Sequence, residues 1–196
     1  MHLNSKLLFE KYARQHFRPD LRILEIGPDQ LPSSYQQLVG LPSAQWHTID
    51  LADRPGLTFQ AKGDYCFPID DGSYDIVVSG QVLEHVKKVW LWIREVARVC
   101  KPGGRVITVN PVTWPYHLAP VDCWRIYPEG MRALYEEGQL EVEHTSWESL
   151  EPTSLLPRLP RPQNEHHPGM LFKLARLCRY PLQRAYDTIT IGRKAD

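Results

Sequence analysis

The sequence predicts an α/β fold, a mostly parallel sheet with helices on both faces. Three observations carry that expectation. The run Arg22–Ile26 is short and apolar, and it closes on Gly27, where a missing side chain lets backbone approach a ligand. A second short strand, Trp46–Ile49, closes on the acid Asp50. A bare tip followed roughly 20 residues on by an acidic one is the spacing that sets a carboxylate on a ribose in nucleotide-binding α/β folds. The β-branched run Tyr74–Ser79 then leads through a helical pattern to a further buried run, Arg105–Val109. Strand and helix alternate, as parallel strands with crossovers require.

The chain of 196 residues is long enough for one domain with a sizeable core, and 1–196 is taken as a single unit. Lys plus Arg equals Asp plus Glu at 23 each, which gives no support to nucleic-acid binding. The four cysteines form no CxxC pair, which argues against a disulfide framework or zinc knuckle and fits a reducing cytoplasm. No run is long enough to span a bilayer, and charged residues interrupt the N-terminus, so a cytoplasmic location is expected.

Residues 1–18 are expected to be an N-terminal helix, with Asn4 as its cap and Leu7, Leu8 and Tyr12 on one face. Ser33 or Ser34 caps a short helix through Val39, stopped by Gly40 and Pro42. Leu57–Ala61 is a third strand. After the strand Tyr74–Ser79, the residues Val86, Val89, Trp90, Ile93, Ala97 and Cys100 recur at helical spacing. Lys101-Pro-Gly-Gly104 stops that helix before Arg105–Val109. A long loop rich in aromatics and prolines runs from Asn110 to Tyr127. A helix Pro128–Glu137 and an alternating strand Leu140–Trp147 follow. Residues 151–186 are a proline-rich connector and a basic amphipathic helix inserted before the last strand, Asp187–Ile191. The basic helix packs on its own domain or a second subunit; peripheral membrane contact through 170–186 is the alternative.

Three blocks then stand in a telling order: Gly63-Asp-Tyr-Cys-Phe-Pro-Ile-Asp-Asp-Gly-Ser-Tyr-Asp-Ile-Val-Val-Ser79, Val82-Leu-Glu-His-Val86, and Cys100-Lys-Pro-Gly-Gly104 before a strand. Each is weak alone. Together, across Ile23 to Glu143, the chain resembles the small bacterial class I S-adenosylmethionine-dependent methyltransferases, the methyltransferase type 11-like branch. The resemblance implies a Rossmann-like sheet of seven strands, the last antiparallel beside the fifth. It implies S-adenosylmethionine as cofactor and no metal. Glu25, Gly27 and Pro28 would lie against the methionine portion, and Asp50 with Leu51 at the ribose. Asp64 would meet the adenine amino group with Tyr65 beside the ring, while Ser79, Gly80 and Gln81 would line the methionine end. One departure stands out: Gly27 is followed by Pro28-Asp-Gln-Leu31, without the family's later glycines.

Methyl transfer from a sulfonium needs in-line approach and exclusion of water. A hydroxyl acceptor also gains from a nearby base, and histidine is the natural one. His85 and His117 fall on segments that face the site, with Asp122 placed to orient a histidine. Each has a bland reading: His85 as a structural histidine bonding the loop, Asp122 as the ion-pair partner of Arg125. Trp114, Tyr116, Trp124 and Arg125 are the substrate-side candidates, either stacking on a ring or packing the loop on itself. The segment His117-Leu-Ala-Pro-Val-Asp122-Cys-Trp-Arg125 resembles loops of methyltransferases similar to those of polysaccharide or glycosyl pathways, which points to a sugar-type hydroxyl on a small molecule. Two other classes compete: a non-catalytic scaffold of the same fold, and a nicotinamide-dependent oxidoreductase, for which GxGxxG is absent.

Overall fold

The computed structural model describes residues 2–118, 121–151 and 185–196. The described strands form one sheet of seven, in the order β3-β2-β1-β4-β5-β7-β6. β1 is Arg22–Ile26, β2 Gln45–Asp50, β3 Phe59–Gln60, β4 Tyr74–Gly80, β5 Cys100–Pro111, β6 Leu140–Glu148 and β7 Asp187–Lys194. β1 pairs in parallel with both β2 and β4, so the strand order reverses between β1 and β4 and opens a crevice at their carboxyl ends. β7 lies antiparallel between β5 and β6, as the resemblance implies. Running backwards, it brings its first residue beside the end of β5, in the register Pro111↔Asp187.

Two apolar layers hold the sheet. On one face α3 (Val89–Val99) and α4 (Pro128–Glu137) cover Leu24, Ile49, Val77 and Val106. On the other, α1 (Leu3–Leu8) and α2 (Ser34–Val39) cover Ile23, Ile76, Val78 and Ile107. α3 is held by the buried stripe Val89, Trp92, Ile93, Val96, Ala97 and Val99. At about 1.5–3 kcal/mol for each large apolar side chain, that stripe contributes on the order of 10 kcal/mol. Sequence spacing had put Trp90 on this face; it is 44% exposed and Trp92 takes the inward place. The helix starts at Val89, and Trp92 falls three residues after Val89 and four before Val96, on the buried stripe that Trp90 misses.

Several boundaries also move. Asn4 does not cap the first helix, whose N-cap is His2. Asn4 is fully buried and donates to the Glu148 carbonyl and to Asp187 Oδ2, tying the N-terminal helix to β6 and β7. Past Leu8 that helix widens into a π turn, Phe9–Ala13, and ends in a 3-10 turn, Arg14–His16. Lys101–Gly104 is not a stop but the first part of β5, with a register shift between Tyr74 and Ile76 of β4. The third strand keeps only two residues, because its neighbours bond β2 through side chains: Thr48 and Thr58 exchange backbone-to-hydroxyl bonds. Ser33 does cap α2, accepting from Gln36 N–H, and Gly40 ends it with φ +63°. The expected basic helix at 170–186 falls mainly outside the described residues. Among the described residues no helix is long and apolar enough to cross a membrane.

Candidate active site

A cavity of about 540 Å³ opens at the carboxyl ends of β1, β2 and β4. Gly27, Asp50, Leu51, Asp64, Gln81 and His85 all line it, so six of the residues singled out in sequence converge there. Its apolar walls come from Ile26, Ile49, Phe67, Val82, Val86 and Trp92. Gly27 is required on two counts. Its φ is +66°, and a Cβ there would stand 2.3 Å from Val82 Cγ2, one of the wall side chains.

Not every predicted residue faces the cavity. Glu25 turns into the protein, accepting from Ser33 Oγ and Trp46 Nε1; burial pushes its carboxyl up to about 7 against those two bonds. Tyr65 is absent from the lining, and its hydroxyl accepts from Lys88 N–H at 3.1 Å. Ser79 is 2% exposed, with its hydroxyl buried and unpartnered. Pro28 contributes its carbonyl rather than a surface, to a residue the sequence reading passed over. Arg54 Nη2 donates to Pro28 O at 2.7 Å and to Asp50 Oδ2 at 2.5 Å. This clamp joins the glycine-poor loop after β1 to the tip of β2. An ionised carboxylate has about four acceptor positions. Arg54 takes one on Oδ2 and Ala52 N–H one on Oδ1, which leaves each oxygen able to accept from a ribose hydroxyl. The bare Gly27 tip, the acceptor pair on Asp50 and the apolar walls fit an adenosyl sulfonium.

At the far end of the cavity the backbone is strained. Gln81 has φ +60°, a conformation that costs a non-glycine residue of order 1 kcal/mol or more and clusters at functional sites. Its side chain donates to Ser5 Oγ at 2.7 Å and to Asp187 Oδ1 at 3.2 Å. Asp187 is fully buried, and burial pushes its carboxyl up to about 7, opposed by bonds from Asn4 and Gln81. His2 approaches the same carboxylate at 3.3 Å and stacks on Trp114 at 4.5 Å. Burial, helped by the N-terminal charge, holds the His2 imidazole down near 4, so it sits there neutral.

The loop after β5 is stitched to the 3-10 turn Leu83–His85 that follows β4. Cys123 N–H donates to the Glu84 carbonyl at 2.7 Å, and Trp124 Nε1 donates to the Val86 carbonyl at 2.8 Å. His85 Nδ1 donates to the Val121 carbonyl at 2.5 Å, so its loop-bonding reading holds, yet the residue also lines the cavity. Asp122, with its side chain 2% exposed, receives Arg125 at 2.5 and 2.7 Å and the His117 backbone N–H at 2.9 Å. Burial raises its carboxyl, but those partners outweigh it and hold it below the usual range. The same carboxylate stands 3.2 Å from His117 Nδ1. His117 and His85 meet edge to face, ring centroids 5.0 Å apart. The loop aromatics do not form one cluster. Trp114 pairs with His2, Trp124 with Trp90 and Tyr127 with Trp147, while Tyr116 is 74% exposed.

Glu84 belongs to the motif Val82–Val86 and has no separate signal in sequence. It is 1% exposed, and burial pushes its carboxyl up to about 8.

Comparison with known proteins agrees with this geometry. Residues 43–108 match the methyltransferase domain family. Proteins of Mycobacterium bovis and Mycobacterium tuberculosis named as uncharacterized methyltransferases are 44% identical over 54 residues, covering 28% of this chain. The matched stretch is 21% of those relatives' length. Among solved structures, a SAM-dependent methyltransferase from Archaeoglobus fulgidus has a TM-score of 0.62 at 15% identity, covering 97% of this chain and 95% of that one. The Burkholderia thailandensis 1,6-didemethyltoxoflavin-N1-methyltransferase, with bound 1,6-didemethyltoxoflavin and S-adenosylhomocysteine, has a TM-score of 0.64 at 11% identity, covering 98% and 79%. The YcgJ protein of Bacillus subtilis, at 18% identity, gives 0.63 over both whole chains. The fold is shared with these methyltransferase structures. Within it, residues 43–108 carry the sequence signature of the family's methyltransferase domain.

Proposed function

We propose that this chain transfers a methyl group from S-adenosylmethionine to a small molecule, at a hydroxyl of a sugar-type acceptor. The observation that carries the reading is the shared cavity of Gly27, Asp50 and Gln81, an adenosyl berth with a strained, polar far end. The cofactor supplies an activated methyl on sulfur. The protein's part is to bind, align and exclude water. In this reading Asp50 accepts from the ribose hydroxyls with Arg54 fixing its angle, and Asp64 meets the adenine edge. Gln81 sets the methionine end. His85 and His117, the latter positioned by Asp122, meet the acceptor hydroxyl. Trp114 and Tyr116 flank that side.

The competing reading, a scaffold that kept the fold, draws on Arg54 already holding the Asp50 carboxylate. Thermal melting separates the two. S-adenosylhomocysteine at saturating concentration is expected to raise the melting temperature of the wild-type chain, with Asp50→Ala abolishing the rise. Absence of any rise at millimolar ligand removes the enzyme reading. The acceptor class is tested by tritiated methyl transfer to nucleotide sugars and glycolipids, where labelling at nitrogen alone would replace the hydroxyl assignment.

A further inference from the structure

Spacing in sequence shows no metal ligands here, but the fold brings together three donors from two distant segments. One donor atom each from Glu84, His85 and His117 lies within 4.8 Å of the other two. Glu84 Oε1 is 3.8 Å from His85 Nε2. Glu84 Oε2 is buried and without a hydrogen-bond partner. A buried carboxyl oxygen without a partner is costly to leave, and a cation is one of the few groups that would satisfy it.

The two imidazoles are set up the way ligands are. His85 Nδ1 is engaged by the Val121 carbonyl at 2.5 Å. His117 Nδ1 faces the Pro115 carbonyl and the Asp122 carboxylate, both at 3.2 Å. A proton held on Nδ1 by an acceptor leaves Nε2 as the lone-pair nitrogen. A carboxylate or carbonyl behind the ring is the usual outer support of a metal-bound histidine. Arg125, the nearby cation, is neutralised by its two bonds to Asp122.

We propose that Glu84, His85 and His117 form a binding site for one divalent transition-metal cation of the zinc class, beside the cavity that His85 lines. Two imidazoles and one carboxylate favour such a cation over magnesium or calcium, which take oxygen ligands. Three protein ligands leave a coordination position open. An acceptor hydroxyl bound there is oriented and made more acidic. The inference rests on the methyltransferase reading for the acceptor's presence, but the cation site itself does not.

The test uses the full chain stripped with chelator. Zn(II) is titrated against a chromophoric competitor, and Co(II) is followed by its visible absorption. One saturable equivalent is expected. Glu84→Gln, close to isosteric, and His117→Ala on its partly exposed loop should each weaken binding about tenfold or more, with unchanged circular dichroism. His16→Ala, a histidine outside the site, serves as the control. Absence of a saturable equivalent, or variants that bind as tightly as wild type, overturns the proposal. S-adenosylhomocysteine binding is measured on the same preparations. Cofactor binding without metal binding sinks only the cation site, and metal binding without cofactor binding sinks only the methyltransferase reading.

Discussion

In the proposed reading the site has a cofactor end and an acceptor side, built by opposite means. The cofactor end is made of strand tips: Gly27 closes β1, Asp50 closes β2, and the sheet register fixes their separation through pairs such as Ile26↔Ile49. The proposed acceptor side is a loop that reaches the cavity through Val121 and whose position comes from side-chain bonds, with Asp122 gathering Arg125 and His117 and with Trp124 tied to Val86. Strand ends are specified by a whole sheet. A loop is specified by a few bonds, each worth about 1 kcal/mol net and more where charged. The cofactor end should therefore withstand substitutions that the acceptor end does not, and the two should fail separately.

The largest expected effect breaks the ends apart. His117→Ala is predicted to lower turnover by about 100-fold or more, the range typical of groups acting on the reacting proton. It should change S-adenosylhomocysteine affinity by less than about threefold. Steady-state rates beside calorimetry check this, and equal losses in both would show the two ends to be one coupled unit.

A second effect concerns the support behind β1. Burial raises the Glu25 carboxyl from its ordinary 4.5 to about 7. The folded state then holds a proton that the unfolded state has lost. Stability from this group is full below about 4.5 and falls as pH rises toward 7. Glu25→Gln removes that slope. Urea unfolding should show the variant gaining on wild type by about 2–3 kcal/mol between pH 4.5 and pH 8. Parallel pH profiles for the two chains would place the strain elsewhere.

The smallest effect sharpens the cofactor end itself. Arg54→Ala frees Asp50 from its clamp and lets go of the Pro28 carbonyl. Affinity for S-adenosylhomocysteine should fall by about three- to tenfold, as the carboxylate loses its fixed angle. A rise in affinity instead would mean that Arg54 competes with the ribose rather than preparing for it.

The architecture was legible in sequence wherever periodicity was strong. β1, α2 and α4 fall where the runs and caps put them, and the antiparallel seventh strand matches the family resemblance. The misreadings have local causes. Trp90 and Trp92 are both apolar and two apart, roughly 200° around the helix, so only one can join the buried stripe, and composition does not say which. Lys101–Gly104 carries a proline and two glycines yet joins an edge-like stretch of β5 through a bulge, which tolerates both. At the site, Gly27 and Asp50 were within reach because strand tips can be counted, His85 because it follows the fourth strand, and Asp64 and Gln81 through the family resemblance. Arg54, Glu84, His2 and Asp187 were not. The contacts of His2 and Asp187, and the Arg54 bond to Pro28, join segments far apart in the chain, which no spacing rule encodes. Glu25 and Tyr65 stand beside the right residues but point the other way, since neighbours on a strand or turn alternate in direction.

The most direct test is isothermal calorimetry of S-adenosylhomocysteine on the wild-type chain and on Asp50→Ala. Binding at one site is expected for the wild type. Each charge-assisted bond to a ribose hydroxyl contributes about 1.5–3 kcal/mol, so the variant should bind about 100-fold more weakly or worse. No heat with the wild type at millimolar ligand, or equal affinities for the two chains, would contradict the adenosyl berth between the tips of β1 and β2.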